Sequence, residues 1–346
     1  MSTIHLLKAF DKSQLFRFFV DGRFQRKYRG WVGYEEGEPG SVQAMLDGYA
    51  FMLDNFELTG SLRGVYLLDL HKVCMRGVRT KNQKSAPGDI RHLNSGMPFF
   101  AKTTTLENLR EVLDIRRGDQ TSVFNTKLFA RRAEELDAEE IHRFIVREGK
   151  VNFRSWYPNL DEPTKAALEK RGTLEDFYKA KHFVQMQFAR RIEEILDRFN
   201  RTVTIAVTDD QRLRAIALVV RELELLHPFA DGNCRAFACI LLMQLLLTHN
   251  FPPAILANPN LDAECSLEQW IDEIRKGMSK TFELLEDRTR TVFNYSISDA
   301  DPAHIAKFDK MAEELAKKID QLAVTPLTAA RERVDKFVSA GSEPVM

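Results

Sequence analysis

Residues 233–250 constrain the fold of this chain more than any other stretch. From Asn233 to Asn250 the sequence is apolar nearly all round, with Phe237, Ile240, Leu241, Leu242, Met243, Leu245 and Leu246. A helix without a polar face has to lie inside the protein, so other elements must surround it. A second helix comes just before it. Thr208 and Gln211 form a capping box, and Leu213, Ile216, Ala217, Val220, Leu223 and Leu226 recur at the spacing of one helix face. The two are joined by His227-Pro228-Phe229-Ala230-Asp231-Gly232-Asn233-Cys234-Arg235. Polar groups cost free energy in a short connection between buried helices unless they are paired or used.

The residue types in that connection point to phosphate chemistry. Gly232 permits positive φ, so the chain can turn sharply and approach a ligand closely. The amides of Gly232, Asn233, Cys234 and Arg235 then open the next helix, and a helix N-terminus attracts anions. Arg235 adds a planar positive fork. Asp231 is a carboxylate of the kind that holds Mg²⁺ together with substrate phosphates. His227 is the residue type that takes a proton from an attacking hydroxyl near neutral pH. Each has a structural reading as well: Asp-Gly is a common turn and Asn a common N-cap. Punctuation accounts poorly for all of them together.

The nine residues resemble the Fic-domain signature, His-Pro-Phe-x-Asp/Glu-Gly-Asn-Gly/Lys-Arg, at every specified position but one. The resemblance implies an all-α fold, with a Fic-type helical core, a short β-hairpin flap and an inserted helical region. It implies transfer of a nucleotide-derived group, most often AMP from ATP with Mg²⁺, to a Ser, Thr or Tyr hydroxyl of a target protein. His227 matches the general base, Asp231 the metal ligand and Phe229 the residue that anchors the loop. Gly232, Asn233, Cys234 and Arg235 match the phosphate cradle.

Two positions depart from the pattern. Cys234 stands where a second glycine is usual, and Ala238 where many members carry a second arginine for the γ-phosphate. Some relatives use CDP-choline or UTP, or phosphorylate instead, so the donor stays open. A catalytically silent nucleotide-binding module is the alternative. The site has lost one cationic contact to a terminal phosphate, which predicts poor discrimination between triphosphate and diphosphate-type nucleotides.

Upstream, Leu70-His71 and Pro87-Gly88-Asp89-Ile90-Arg91 are similar to elements that precede the target-docking flap in Fic domains, placing the flap near His92–Lys102. Residues 117–200 read as an inserted helical region, with one helix capped at Asp137 and a longer one opening at Thr173. Thr103–Asn108 matches the family's inhibitory pattern, with Glu107 as the acid, but lies on the wrong side of Leu70-His71; a helix cap is the simpler reading. Phe16 to Val20 followed by Asp21-Gly22 suggests a hairpin or extended arm. Helices are expected over Ser41–Asn55, Ser61–Met75 and about Ser266–Arg288, then from Asp301-Pro302 and from Pro326.

The expected division is an N-terminal arm and first helix over 1–60, a core over 61–290 and C-terminal helices over 291–346. Fifty basic residues balance fifty acidic ones, which argues against nucleic acid as a partner. No window reaches the ~20 apolar residues of a membrane span, and the first residues do not form a signal peptide. The four cysteines lack metal or disulfide spacing. A cytoplasmic protein is expected, or one secreted into a host cell as an effector.

Overall fold

A computed structural model of the chain describes residue 3 and residues 6–25, 29–56, 62–79, 86–92, 95–117, 123–125, 137–156 and 160–322. Short N-terminal helices come first: α1 (Leu6–Ala9), a 3-10 helix (Lys12–Phe18), α2 (Gly22–Gln25) and α3 (Val32–Gly37). Then follow α4 (Ser41–Asp54), α5 (Gly64–Cys74), β1 (Ser95–Phe100), α6 (Leu106–Arg117), β2 (Val123–Asn125), α7 (Ala138–Glu148) and β3 (Lys150–Trp156). Next come the short α8 (Glu162–Leu168) and the long α9 (Leu174–Ile205) and α10 (Asp209–Leu226). After the loop come a π-helix (Arg235–Leu241), α11 (Leu242–Thr248), α12 (Leu261–Glu264), α13 (Leu267–Glu286), α14 (Pro302–Met311) and α15 (Glu313–Asp320). The fold is all-α apart from one small sheet.

The π-helix and α11 form the buried axis. Phe237, Ile240, Leu241, Leu245, Leu246 and Leu247 are all buried, and α4, α5 and α10 pack around them. Gly48 allows α4 to come close, because a Cβ there would overlap the Ile240 side chain. The π turn was not expected from periodicity, which reads one uninterrupted helix. Its hydrogen bonds reach five residues back, and the wider turn inserts one residue into the register. Tyr49 of α4 donates its hydroxyl to the Cys239 carbonyl at 3.0 Å, satisfying an acceptor inside that turn.

Caps explain the ends of the other long helices. Thr208 and Gln211 cap α10 reciprocally, Thr173 and Asp176 do the same for α9, and Ser266 and Gln269 for α13. Asp301 caps α14, with Pro302 in its first turn. The helix expected from Pro326 lies outside the described residues.

Two local readings are corrected. The Phe16–Val20 stretch is not a hairpin arm. Asp11 caps a 3-10 helix through the Ser13 amide at 2.9 Å, and Phe16, Phe18 and Phe19 enter the core. Arg17 is buried with them and donates to Gln14, Gln25 and the Tyr295 carbonyl, so tertiary partners decide the local shape. The inserted region is also not purely helical. Strand β3 inside it is the centre of a three-stranded antiparallel sheet of order β1-β3-β2. The flap strand β1 pairs with it from Ser95↔Ser155 to Phe100↔Lys150, so the flap's partner comes from the insertion rather than from its own hairpin.

Candidate functional site

The loop is held in shape from both ends. At its start His227 terminates α10 in the left-handed region, φ 50° and ψ 57°, while its amide still bonds the Leu223 carbonyl at 3.0 Å. Reversing the chain there exposes the last carbonyls of α10, and Arg91 takes them. Its guanidinium donates to the carbonyls of His227 and Leu226, and its amide to that of Pro228 at 2.8 Å. Arg91 is 1% exposed and lies 4.5 Å over the Phe188 ring of α9. From the same helix Gln185 donates to the Ile90 carbonyl at 2.7 Å. The insertion therefore buttresses the loop through Arg91.

In the middle, Phe229 is fully buried and stacks on His71 of α5, ring centres 3.7 Å apart and planes within 5°. His71 is neutral, its pKa lowered to about 4, chiefly by burial. The Gly88 amide donates to its Nδ1 at 2.9 Å, so Nε2 carries the proton and donates to the Asp231 carbonyl at 2.8 Å. One imidazole thus ties the Pro87-Gly88 turn to the loop. Gly232 follows with φ 76°, and a Cβ there would run into Met75 and His71. Only glycine satisfies both conditions.

At its end the loop closes on itself. Asn233, read from sequence as a phosphate ligand, is buried; its amide side chain accepts from the Phe229 amide and donates to the Phe229 carbonyl, both at 3.0 Å. The side chain is a clasp, and only its backbone amide lies among those that open the helix. Cys234 adopts ordinary helical angles, φ −56° and ψ −40°, so a side chain there brings no backbone strain. Its thiol lies against Cys239, five residues on in the π turn, and that neighbour together with burial pushes its pKa well above the usual thiol range. It is not an activated thiol.

Arg235 is engaged as well. It forms an ion pair with Glu38 and donates to the Tyr34 hydroxyl and Met75 Sδ, each at 3.0 Å. Burial lifts the Tyr34 phenol to about 12, which keeps it neutral beside the arginine. Glu38 is 39% exposed on its side chain, against 8% for Arg235. Ala238 is buried in the core.

Asp231 is only partly buried, and its Oδ1 accepts from the Gly232 amide at 2.7 Å. Among the described residues no three His, Cys, Asp or Glu side chains converge as metal ligands. A single carboxylate of this kind fits Mg²⁺ only when substrate phosphates complete the shell. Glu107, the acid of the Thr103–Asn108 match, sits in the first turn of α6, and the cap of that helix comes from Thr105, whose hydroxyl accepts from the Asn108 amide at 3.1 Å. Thr103 instead donates to Glu264 at 2.6 Å.

Two acids near the loop were missed by sequence reasoning. Glu224 in the last turn of α10 and Asp262 of α12 are 5% and 1% exposed. A signal existed: Glu224 follows Ala217 and Val220 at helical spacing, so a charge occupies a position on the apolar stripe.

The described residues form a helical bundle that presents a clasped His-Pro-Phe loop at a helix N-terminus. The chain is similar to the phosphocholine transferase AnkX of Legionella pneumophila, 29% identical over 311 residues that cover 85% of this chain. It spans about a third of that relative, 31% of its length. No family model matches the chain. Among the described residues no helix is long and apolar enough to cross a membrane.

Proposed function

We propose that this chain is a Fic-like transferase that moves phosphocholine from a nucleotide diphosphate donor of the CDP-choline type to a hydroxyl of a target protein. Transfer of AMP from ATP, the commonest reading of the motif, gives way to phosphocholine for one reason above others. The relative that aligns over most of the chain is named for phosphocholine transfer. The loop agrees with a donor lacking a γ-phosphate, since Ala238 is buried and Arg235 is already paired.

In this reading the target hydroxyl gives its proton to His227 as its oxygen attacks the choline-bearing phosphorus. The new O–P bond forms as the bridging P–O bond breaks, and the nucleoside monophosphate leaves. The amides opening the π-helix and the Arg235 guanidinium stabilise charge on the phosphate oxygens. Asp231 would hold Mg²⁺ jointly with those oxygens, and the ion would supply charge neutralisation. Arg91, His71 and Asn233 keep the loop in the geometry the reaction needs, since they fix its carbonyls and its turn.

The test is incubation of the full chain with a proteome extract and Mg²⁺, using CDP-choline, ATP or UTP as donor, with intact-mass readout of modified proteins. A mass gain of one phosphocholine from CDP-choline, absent with His227→Ala, is expected. A gain of AMP from ATP alone would return the assignment to AMP transfer. No gain from any donor, with nucleotide still bound, would favour a silent binding module.

A further inference from the structure

Lys72, Arg76 and Arg79 stand exposed along the end of α5 and the turn after it, in a stretch, 70–79, that holds no acid. None of the three enters an ion pair among the described residues. Other exposed cations are matched: Arg190 and Arg191 with Glu194, Lys179 with Glu175, and Lys317 with Glu313 and Glu314. A helix C-terminus favours cations within its last turn. That accounts for Lys72, but α5 ends at Cys74, before Arg76 and Arg79. The acids closest in sequence, Asp69 and Asp89, pair with none of the three; Asp89 lies within reach of His71 and His92 instead.

The three cations border the loop. His71 and Met75, the residues just before Lys72 and Arg76, hold the Asp231 carbonyl and Arg235. A Cβ on Gly88 would sit 3.1 Å from Cβ of Lys72. The Arg79 amide donates to the Pro39 carbonyl at 2.9 Å, next to the Glu38 that pairs with Arg235.

From Lys72 the segment 86–92 crosses the loop to α9. It lies directly on the loop, through His71 beneath Gly88 and through Arg91 on the carbonyls of Leu226 to Pro228. At its far side three rings follow one another. His92 stands edge-on to Phe177 at 5.6 Å, and Phe177 edge-on to Tyr178 at 5.6 Å. Tyr178 is 58% exposed and Leu174, one turn earlier, 69%. Met186 continues the same exposed ridge two turns further on. Clustered exposed apolar side chains mark interaction surfaces.

The proposed transfer brings a protein to this place. A stable interface covers about 800 Å² and 20–30 residues on each side. An acceptor whose hydroxyl reaches His227 therefore covers the segment lying on the loop and both of its flanks. Unpaired cations at the rim of an interface steer an acidic partner, and an exposed tyrosine ridge offers an apolar anchor. Nucleic acid is a poorer fit, since the whole chain carries no net charge and phosphate backbones are held by many cations.

We propose that the face from Arg79 and Lys72, across residues 86–92, to Tyr178 and Leu174 is where the acceptor protein docks. That acceptor presents acidic side chains toward α5 and an apolar side chain toward α9. The inference rests on the reading of the chain as a protein-modifying transferase and names the chemistry of its substrate; it holds whichever donor is used.

The test compares wild type with Lys72→Glu/Arg76→Glu/Arg79→Glu and with Leu174→Ser/Tyr178→Ser in two assays. Calorimetry with CDP-choline reads the donor site. Mass-spectrometric quantitation of phosphocholine on extract proteins, with extract limiting, reads the acceptor. Both variants should bind CDP-choline within about twofold of wild type and lose about tenfold or more of transfer. The wild-type rate should fall as salt is raised, and the charge-reversed variant should lose that dependence. Melting curves check the fold; were the charge reversal not to fold, Lys72→Gln/Arg76→Gln/Arg79→Gln replaces it, with about a three- to tenfold loss expected. Folded variants that transfer within twofold of wild type would overturn the docking face. Equal losses of donor affinity and transfer would also overturn it, by giving these residues to the donor. So would binding to phosphatidylserine vesicles that the charge-reversed variant loses while its transfer persists. Wild type that transfers AMP from ATP instead would change the donor and leave the face to be judged by the same comparison with ATP. Absence of transfer from any donor would overturn the transferase reading, and the face with it.

Discussion

In the 227–235 loop nearly every polar group named above has a partner inside the protein. Asn233 clasps Phe229, His71 ties down Asp231, Arg91 covers the carbonyls of Leu226 to Pro228, and Arg235 pairs with Glu38. A turn away, Glu224 and Asp262 keep oxygens without hydrogen-bond donors among the described residues. The first region is preorganised: its geometry is set before any ligand arrives, which limits the ordering cost of binding. The second leaves buried acceptors without donors, which costs stability in the free protein.

The largest effect should come from the one loop residue given a proton to carry. His227→Ala is expected to lower transfer by about 10²–10⁴-fold while nucleotide affinity stays close to wild type. Single-turnover rates and calorimetry separate the two; transfer within tenfold of wild type would remove His227 as the base. Next, Phe229→Ala should break the preorganised side of the comparison. It opens a cavity against His71 and Phe237 and should cost about 3–5 kcal/mol in urea denaturation, with transfer reduced in the fraction that remains folded. A loss under 1 kcal/mol would mean the loop is held without its stack.

Glu224→Gln acts in the opposite direction. Burial, then Asp262, hold the Glu224 carboxyl protonated in the folded state well above its ordinary 4.5. Above that pH the unfolded chain releases the proton and the folded one keeps it, so this group makes stability fall as pH rises. The glutamine removes that dependence. The variant should be more stable than wild type at pH 8 by about 1–3 kcal/mol and indistinguishable near pH 4. Equal melting curves at pH 8 would show that the acid is accommodated in the free protein. The smallest change is expected from Glu38→Gln, which releases Arg235 toward phosphate. Binding of CDP should tighten by roughly two- to tenfold with the fold unaltered; weaker binding would show that Glu38 orients the arginine for its ligand rather than competing with it.

Much of the loop's setting was legible in the sequence because it depends on short-range rules. The caps at Thr173, Thr208, Ser266 and Asp301 were readable from residue type and spacing, since a cap is a local hydrogen bond. Gly232 was readable as a turn for the same reason. The inward role of Asn233 was not. Whether its side chain faces a phosphate or the Phe229 backbone depends on how tightly the chain curls, which residue types alone leave open. The flap's partner was equally hidden: β1 and β3 pair residues fifty to sixty positions apart, and antiparallel pairing at that range is set by packing.

The sequence by itself determined that the chain is helical, that 233–250 is its buried axis, and that a His-Pro-Phe-Ala-Asp-Gly-Asn loop stands at that helix's start. Those are consequences of periodicity, caps and glycine's backbone freedom, which act within a few residues. Only the tertiary structure decided which polar groups of the site are partnered. It brought His71, Arg91 and Glu38 to the loop from three distant segments. It widened the helix after Cys234 into a π turn, and buried Glu224 against Asp262 of another helix. Desolvation and pairing are properties of a packed environment, and no single segment carries them.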